Sequence, residues 1–208
     1  MTHTQLWISL LLNLFVFLSV LVSVGAFFVR GGKGNMEGAG RRSLNYFTVD
    51  SNLLCAAACL LLCLWEGIAL ARGGEALVPL WLDLFKYMGS VAVGLTFFTV
   101  LLYLLPITHF DFKLMYAGRT LFLHALCPLA AMASWAFLEK GEPLAFPWTL
   151  LGLVPTLLYG ALYLDRVLLR KTWGDFYHFN QNGRWYLSIL LMLLLTFAVA
   201  AGRWALRR

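Results

Sequence analysis

The sequence predicts an all-α, polytopic integral membrane bundle of about six transmembrane helices. Three observations carry that expectation. Hydrophobic residues make up 61% of the 208 and charged residues only 12%, and the mean hydropathy is +0.78. So few charges cannot keep a water-facing surface in solution, so lipid must solvate most of it. The apolar residues also collect into six runs close to the ~20 residues that a helix needs to cross the hydrocarbon core. Those runs are unbroken, whereas the strands of a membrane barrel alternate over about ten residues. Residues 1–208 form one domain, without an internal repeat or low-complexity linker.

The expected spans are 6–29, 48–71, 84–105, 119–138, 148–168 and 186–203. The first follows a leader, Met1 to Gln5, that has no Lys or Arg. Its apolar run exceeds the ~7–15 residues of a signal-peptide core, so it reads as a retained span despite the small-residue stretch Val24-Gly25-Ala26. The Arg30–Tyr46 loop is Gly-rich and basic, reading as a flexible connection. It lacks the G-x-x-x-x-G-K-[ST] pattern and the strand-to-helix setting of a phosphate-binding loop.

In the second span Thr48, Asn52, Cys55, Cys59 and Cys63 recur at three- and four-residue spacing, which places them on one helical face with Ser51 beside Thr48. A stripe of small and polar residues is the expected bundle-facing side. Asp50 points away from that stripe or caps the helix start, since Asp and Thr are both good N-cap residues. The fourth span repeats the pattern with Thr120, His124, Cys127, Pro128, Ala131 and Ser134. Pro128 removes a backbone donor about one turn after His124 and is expected to leave a carbonyl free. Pro147 and Trp148 suit the opening turn and interfacial belt of the fifth span. The fifth loop, RKTWGDFYHFNQNGRW from Arg170 to Trp185, is either an aromatic belt at the interface or a lid over chemistry at that face. The sixth span is short and bordered by charge.

The net charge is +6. With six spans, loops one, three and five share one side and carry ten of the 16 basic residues, Arg30, Lys33, Arg41, Arg42, Lys113, Arg119, Arg166, Arg170, Lys171 and Arg184. Arg72, Lys86, Lys140, Arg203, Arg207 and Arg208 fall on the other. That bias puts the odd-numbered loops in the cytoplasm and both termini outside, with the C-terminal Arg cluster pulling the other way. No aromatic-basic pattern accompanies the charge, so nucleic acid is not an expected partner. The four cysteines lie within spans and read as packing residues rather than a disulfide framework. Glu66 and Asp165, near span ends, read as snorkelling boundary residues.

Thr48 and His124 are the pairing with chemical content. His124 lies about 7–8 Å beyond Arg119 along its helix, so threonine and imidazole are level if the two helices are neighbours. A neutral imidazole within reach could take the hydroxyl proton during attack on an ester carbonyl. Asn52 could donate to the developing oxyanion, and Asp50, Asp111 or Asp175 could orient the imidazole.

The segment NYFTVDSNLL (Asn45 to Leu54), followed by LFLHALCPLAA (Leu121 to Ala131), resembles the androgen-induced-gene (FAR-17a-like) family of polytopic membrane proteins, in its bacterial branch. What the resemblance implies is a six-helix intramembrane threonine hydrolase, cleaving fatty-acid esters of hydroxy fatty acids as animal members do. Thr48 would be the nucleophile and His124 the base, without a cofactor, in a bacterial cytoplasmic membrane. The second motif departs from the animal pattern beyond its histidine, and the fifth loop has no family counterpart.

Two rivals stand beside the hydrolase. His109, Asp111, His124 and His178 all fall near the odd-loop side and could offer metal ligands, but no H-E-x-x-H or close Cys/His pair joins them. Haem ligation lacks paired axial histidines. A non-enzymatic transporter or lipid-binding protein needs only six spans with a polar interior, although six is few for an inverted-repeat transporter.

Overall fold

The computed structural model describes residues 1–29, 39–74 and 77–207. Six helices are long and apolar enough to cross a membrane: α1 (His3–Phe28), α2 (Phe47–Ala71), α3 (Leu80–Ile107), α4 (Arg119–Leu138), α5 (Phe146–Leu169) and α6 (Trp185–Leu206). The protein is therefore a multi-pass membrane bundle, and no strand occurs among the described residues. A short helix, Phe112–Tyr116, sits in the third loop. One isolated backbone bridge, in which Val78 N–H donates to the Lys140 carbonyl at 2.9 Å, ties the second loop to the fourth. Of the basic residues counted for orientation, Arg30, Lys33 and Arg208 lie outside the described residues, as does much of the Gly-rich first loop.

Local chemistry sets the helix starts. Thr2 and Gln5 form a reciprocal capping box at α1, satisfying two backbone donors that a helix start leaves unpaired. Pro147 falls in the first turn of α5, where its missing N–H costs nothing. Helix α3 starts at Leu80, earlier than the run 84–105, because Asp83 is not a boundary charge. It lies buried within the bundle, accepting from the Trp135 indole at 2.8 Å and pairing with Arg207.

Helix α3 is the axis of the bundle, packing against α2, α4, α5 and α6. Small residues allow that crowding. A Cβ added to Gly89 would stand 2.9 Å from Cys55 Cα, and one added to Gly94 would stand 2.9 Å from a Val199 methyl. One core cluster joins Val16, Val20, Cys55, Cys59, Val93, Leu123 and Cys127, and another joins Tyr87, Val91, Trp135, Val199 and Ala200. The cysteines are free thiols in this packing. Outward leucines such as Leu190, Leu191 and Leu194 on α6 remain exposed, as lipid-facing positions should.

Several expectations need correction. Pro128 does not simply leave a carbonyl free. Residues Phe122–Leu126 widen into a π turn in which Cys127 N–H donates five residues back, to Phe122, so most of the ladder is kept ahead of the proline. Glu66 is no snorkelling residue: it is fully buried and accepts a hydrogen bond from Ser9. Lys86 and Arg203 are likewise buried inside spans, where interior partners rather than headgroups hold their charge. They therefore say little about loop charge. Asp165 does stay at its boundary, paired with Arg170 at 3.0 Å.

Candidate functional site at the odd-loop end

At the end of the bundle that carries loops one, three and five, α2 begins at Phe47 with Tyr46 as its N-cap residue, and Tyr46 offers no side-chain cap. Neither Thr48 nor Asp50 occupies that capping position. Both already lie within the first turn, where Asp50 is half-buried and favourably placed against the positive end of the helix dipole. The missing cap comes from the fifth loop, whose Tyr177 hydroxyl accepts the Phe47 N–H at 3.0 Å.

The fifth loop is built to deliver that hydroxyl. Asp175 accepts from the backbone N–H groups of Phe179 and Asn180, both at 2.9 Å, and from the Tyr163 hydroxyl at 2.7 Å. Tyr103 donates to the Tyr177 carbonyl at 3.1 Å. The ring of Tyr46 lies 4.5 Å from Phe176, and Tyr177 stacks on Phe179 at 5.2 Å. The segment is thus a folded aromatic plug rather than a belt facing headgroups. Burial pushes the Tyr177 phenol up to about 12, opposed by the Phe47 N–H and by the Tyr159 and Thr48 hydroxyls that act on the same oxygen. Tyr177 is therefore a neutral hydroxyl at ordinary pH.

Beneath the plug lies a cavity of about 260 Å³, enclosed by the first turn of α2, the second half of α3, α5, the start of α6 and Tyr177, Phe179 and Asn180. Its wall is mostly Leu, Val, Ile, Met and aromatic rings, interrupted by Thr48, Thr96, Thr99, Thr156 and three tyrosines. Among the described residues no Asp, Glu, His, Lys or Arg lines it. An apolar hollow with a few hydroxyls suits an acyl chain with one weakly polar group.

Thr48 is half-buried and part of that wall. Ser51 bonds the Thr96 hydroxyl at 2.9 Å and also the Thr48 carbonyl, which fixes α2 against α3. Asn52 has both amide hydrogens committed. Its Nδ2 donates to the Thr48 carbonyl at 2.7 Å and to the Leu123 carbonyl at 3.0 Å. It therefore clamps α2 to the π turn of α4 and has no free donor for an oxyanion in this arrangement, while its buried Oδ1 has no partner.

His124 occupies the middle of that π turn. Its Nδ1 bonds the Met115 carbonyl at 2.7 Å. A carbonyl only accepts, so Nδ1 carries the hydrogen and Nε2 keeps its lone pair. The imidazole is thus oriented by a backbone carbonyl, not by an acid. Asp111 caps the short helix through the Leu114 N–H, and Asp175 holds the fifth loop. The Asn52–Leu123 bond also fixes relative depth. The same Nδ2 also bonds the Thr48 carbonyl, so the Thr48 and Leu123 carbonyls lie at about one depth and His124 follows Leu123 by one residue, about 1.5 Å. His124 is not part of the cavity wall. Helices α2 and α4 touch, the condition on which the sequence placed the two groups level, and the bond that orients the imidazole is to Met115, not to the threonine.

Among the described residues no group of three or more His, Cys, Asp or Glu is placed to hold a metal ion, so His109, Asp111, His124 and His178 are not assembled. No family model, curated protein or solved structure matches the chain. The residues that sequence reasoning passed over are Tyr177, Tyr159 and Tyr163. Their only signal was the aromatic density of the fifth loop and fifth span.

Proposed function

We propose that the odd-loop end takes the acyl chain of a membrane lipid ester into the cavity and that Thr48 cleaves the ester there. The observation that carries this reading is a threonine in the wall of an apolar cavity at the first turn of a buried helix. The resemblance of Asn45–Leu54 and Leu121–Ala131 to the threonine-hydrolase family supports it. In the cycle, Thr48 Oγ attacks the carbonyl carbon and its proton passes through a bridging water to His124 Nε2. The imidazolium returns that proton to the departing alkoxide, and a second water then hydrolyses the acyl-threonine to free acid and Thr48. Tyr177, whose oxygen already accepts the Phe47 N–H, keeps its own hydrogen for the oxyanion, the role that Asn52 has no free hydrogen to fill. The π turn lets His124 shift along α4 at lower cost than a regular helix would. The bacterial cytoplasmic membrane, with the odd-numbered loops inside, is part of the same proposal.

A second reading is binding without turnover, as in a lipid carrier. The absence of any acid or base among the described residues of the cavity wall favours it. Hydrolysis of a panel of long-chain esters by purified wild-type, Thr48→Ala and His124→Ala proteins separates the two. The expected result is turnover lost at least a hundredfold in both variants while all three elute as single species. Acyl-chain binding retained in all three with equal background turnover would establish the carrier reading instead.

A further inference from the structure

The opposite end of the bundle holds a second polar assembly that the lipid site does not use. Ser9 and Asn13 of α1, Cys59 and Glu66 of α2, Lys86 of α3, Ser134 of α4 and Glu139 just beyond α4 are all buried. Lys86 Nζ pairs with Glu139 at 3.2 Å and donates to Asn13, to Ser134 at 3.3 Å and to Cys59 at 3.2 Å. Asn13 Nδ2 donates to Glu139 at 3.0 Å and to the Ser9 hydroxyl at 3.2 Å.

The positive charge is not shared evenly between the two carboxyl groups of this assembly. One ammonium faces two carboxyl groups, and Glu139 takes both Lys86 and Asn13. Glu66 accepts from the Ser9 hydroxyl and lies beside the Asn13 amide, and its Oε2 is buried without a partner among the described residues. The next positive charges fall to other groups: Arg207 pairs with Asp83, and Arg203, 4.8 Å over the Trp135 ring, acts on Glu139. The groups acting on Glu66 are Ser9 and Asn13 from α1, Lys86 from α3, Glu139 from the end of α4 and Cys63 on its own helix. None supplies a second positive charge. An unpaired carboxylate in such surroundings neutralises itself rather than remain ionised, and ionisable groups within spans mark proton or ion sites.

We propose that Glu66 is an intramembrane proton-binding site, holding one exchangeable proton taken from and returned to the even-loop face. Glu66 lies five residues from the end of α2, about 7.5 Å along the axis, so the path to that face is short. Release converts Glu66–COOH into Glu66–COO⁻ and H⁺, which leaves to water. The new charge is then countered by sharing Lys86 between Glu66 and Glu139, with Asn13 and Ser9 turning their hydrogens toward it. The site is independent of ester cleavage at the other end.

The test is carbodiimide labelling of the full-length protein in detergent, since these reagents attack protonated carboxyls in apolar surroundings. It is run with peptide mass mapping and acid-minus-alkaline infrared spectra. The expected result is an adduct on Glu66 that alkaline pH suppresses and sodium does not, with a carboxylic-acid C=O band that Glu66→Gln removes. Absence of an adduct at Glu66, an infrared band that survives Glu66→Gln, or no pH-dependent band would overturn the proposal. Protection by sodium would also overturn it, by making this a sodium site. The mapping uses wild-type protein, so it stands even if the variant fails to fold.

Discussion

The two ends of this bundle solve the problem of polar groups inside a membrane in opposite ways. At the odd-loop end the polar groups in the cavity wall are mostly hydroxyls, such as Tyr177 accepting from the Phe47 N–H and Tyr159 donating to the Asn45 carbonyl, and space remains for a cavity of about 260 Å³. At the even-loop end they are built around an ion pair, and Lys86 is enclosed by four partners. A hydroxyl needs a single partner and tolerates an apolar hollow beside it. A buried charge needs several close partners, which consume the space. The difference explains why an apolar cavity stands at one end and a close-packed polar cluster at the other.

Three substitutions sharpen that contrast. Lys86→Met should have the largest effect, about 3–5 kcal/mol, because it strands the Glu139 charge. Thermal unfolding in detergent followed by size-exclusion would show the loss, and adding Glu139→Gln should recover part of it. Full stability in the single variant would mean that the even-loop end is not held by ions. Asp175→Asn should cost about 1–3 kcal/mol, since two backbone donors and the Tyr163 hydroxyl lose a charged acceptor. Its signature is faster amide exchange at Phe179 and Asn180 with unchanged exchange around Lys86, and equal loosening at both ends would erase the distinction.

Tyr177→Phe should cost about 1 kcal/mol, for one hydrogen bond at the start of α2. It should also remove an alkaline dependence. The phenol is pushed up to about 12 in the folded chain against an ordinary 10, so the folded state keeps a proton that the unfolded state releases. The resulting stability is complete below about pH 10 and is lost as the pH rises toward about 12. Identical alkaline unfolding profiles for wild type and Tyr177→Phe would show that the phenol is not held neutral by burial.

Much of the candidate site was legible, but not its connectivity. Thr48, Ser51 and Asn52 stood out because polar residues within apolar runs are few, and the three do lie at an interhelical contact. His124 stood out for the same reason. Their relation did not follow, because which faces α2 and α4 turn toward each other is set by helix rotation and not by depth. Tyr177 was hidden among aromatics of equal hydropathy. Glu66 was misread as a boundary charge because its compensation comes from Ser9, 57 positions away in the chain.

The sequence by itself determined six membrane-spanning helices, their approximate bounds and which loops share an end of the bundle. Chain composition over about 20 residues sets these, since backbone groups in lipid must be satisfied within the segment itself. Only the tertiary structure decided which faces meet: α3 at the centre, Tyr177 capping α2, Asn52 joining α2 to α4, and Glu66 beside Ser9. Those contacts depend on helix rotation and crossing, which apolar patterning leaves nearly free when lipid and protein interior are equally oily.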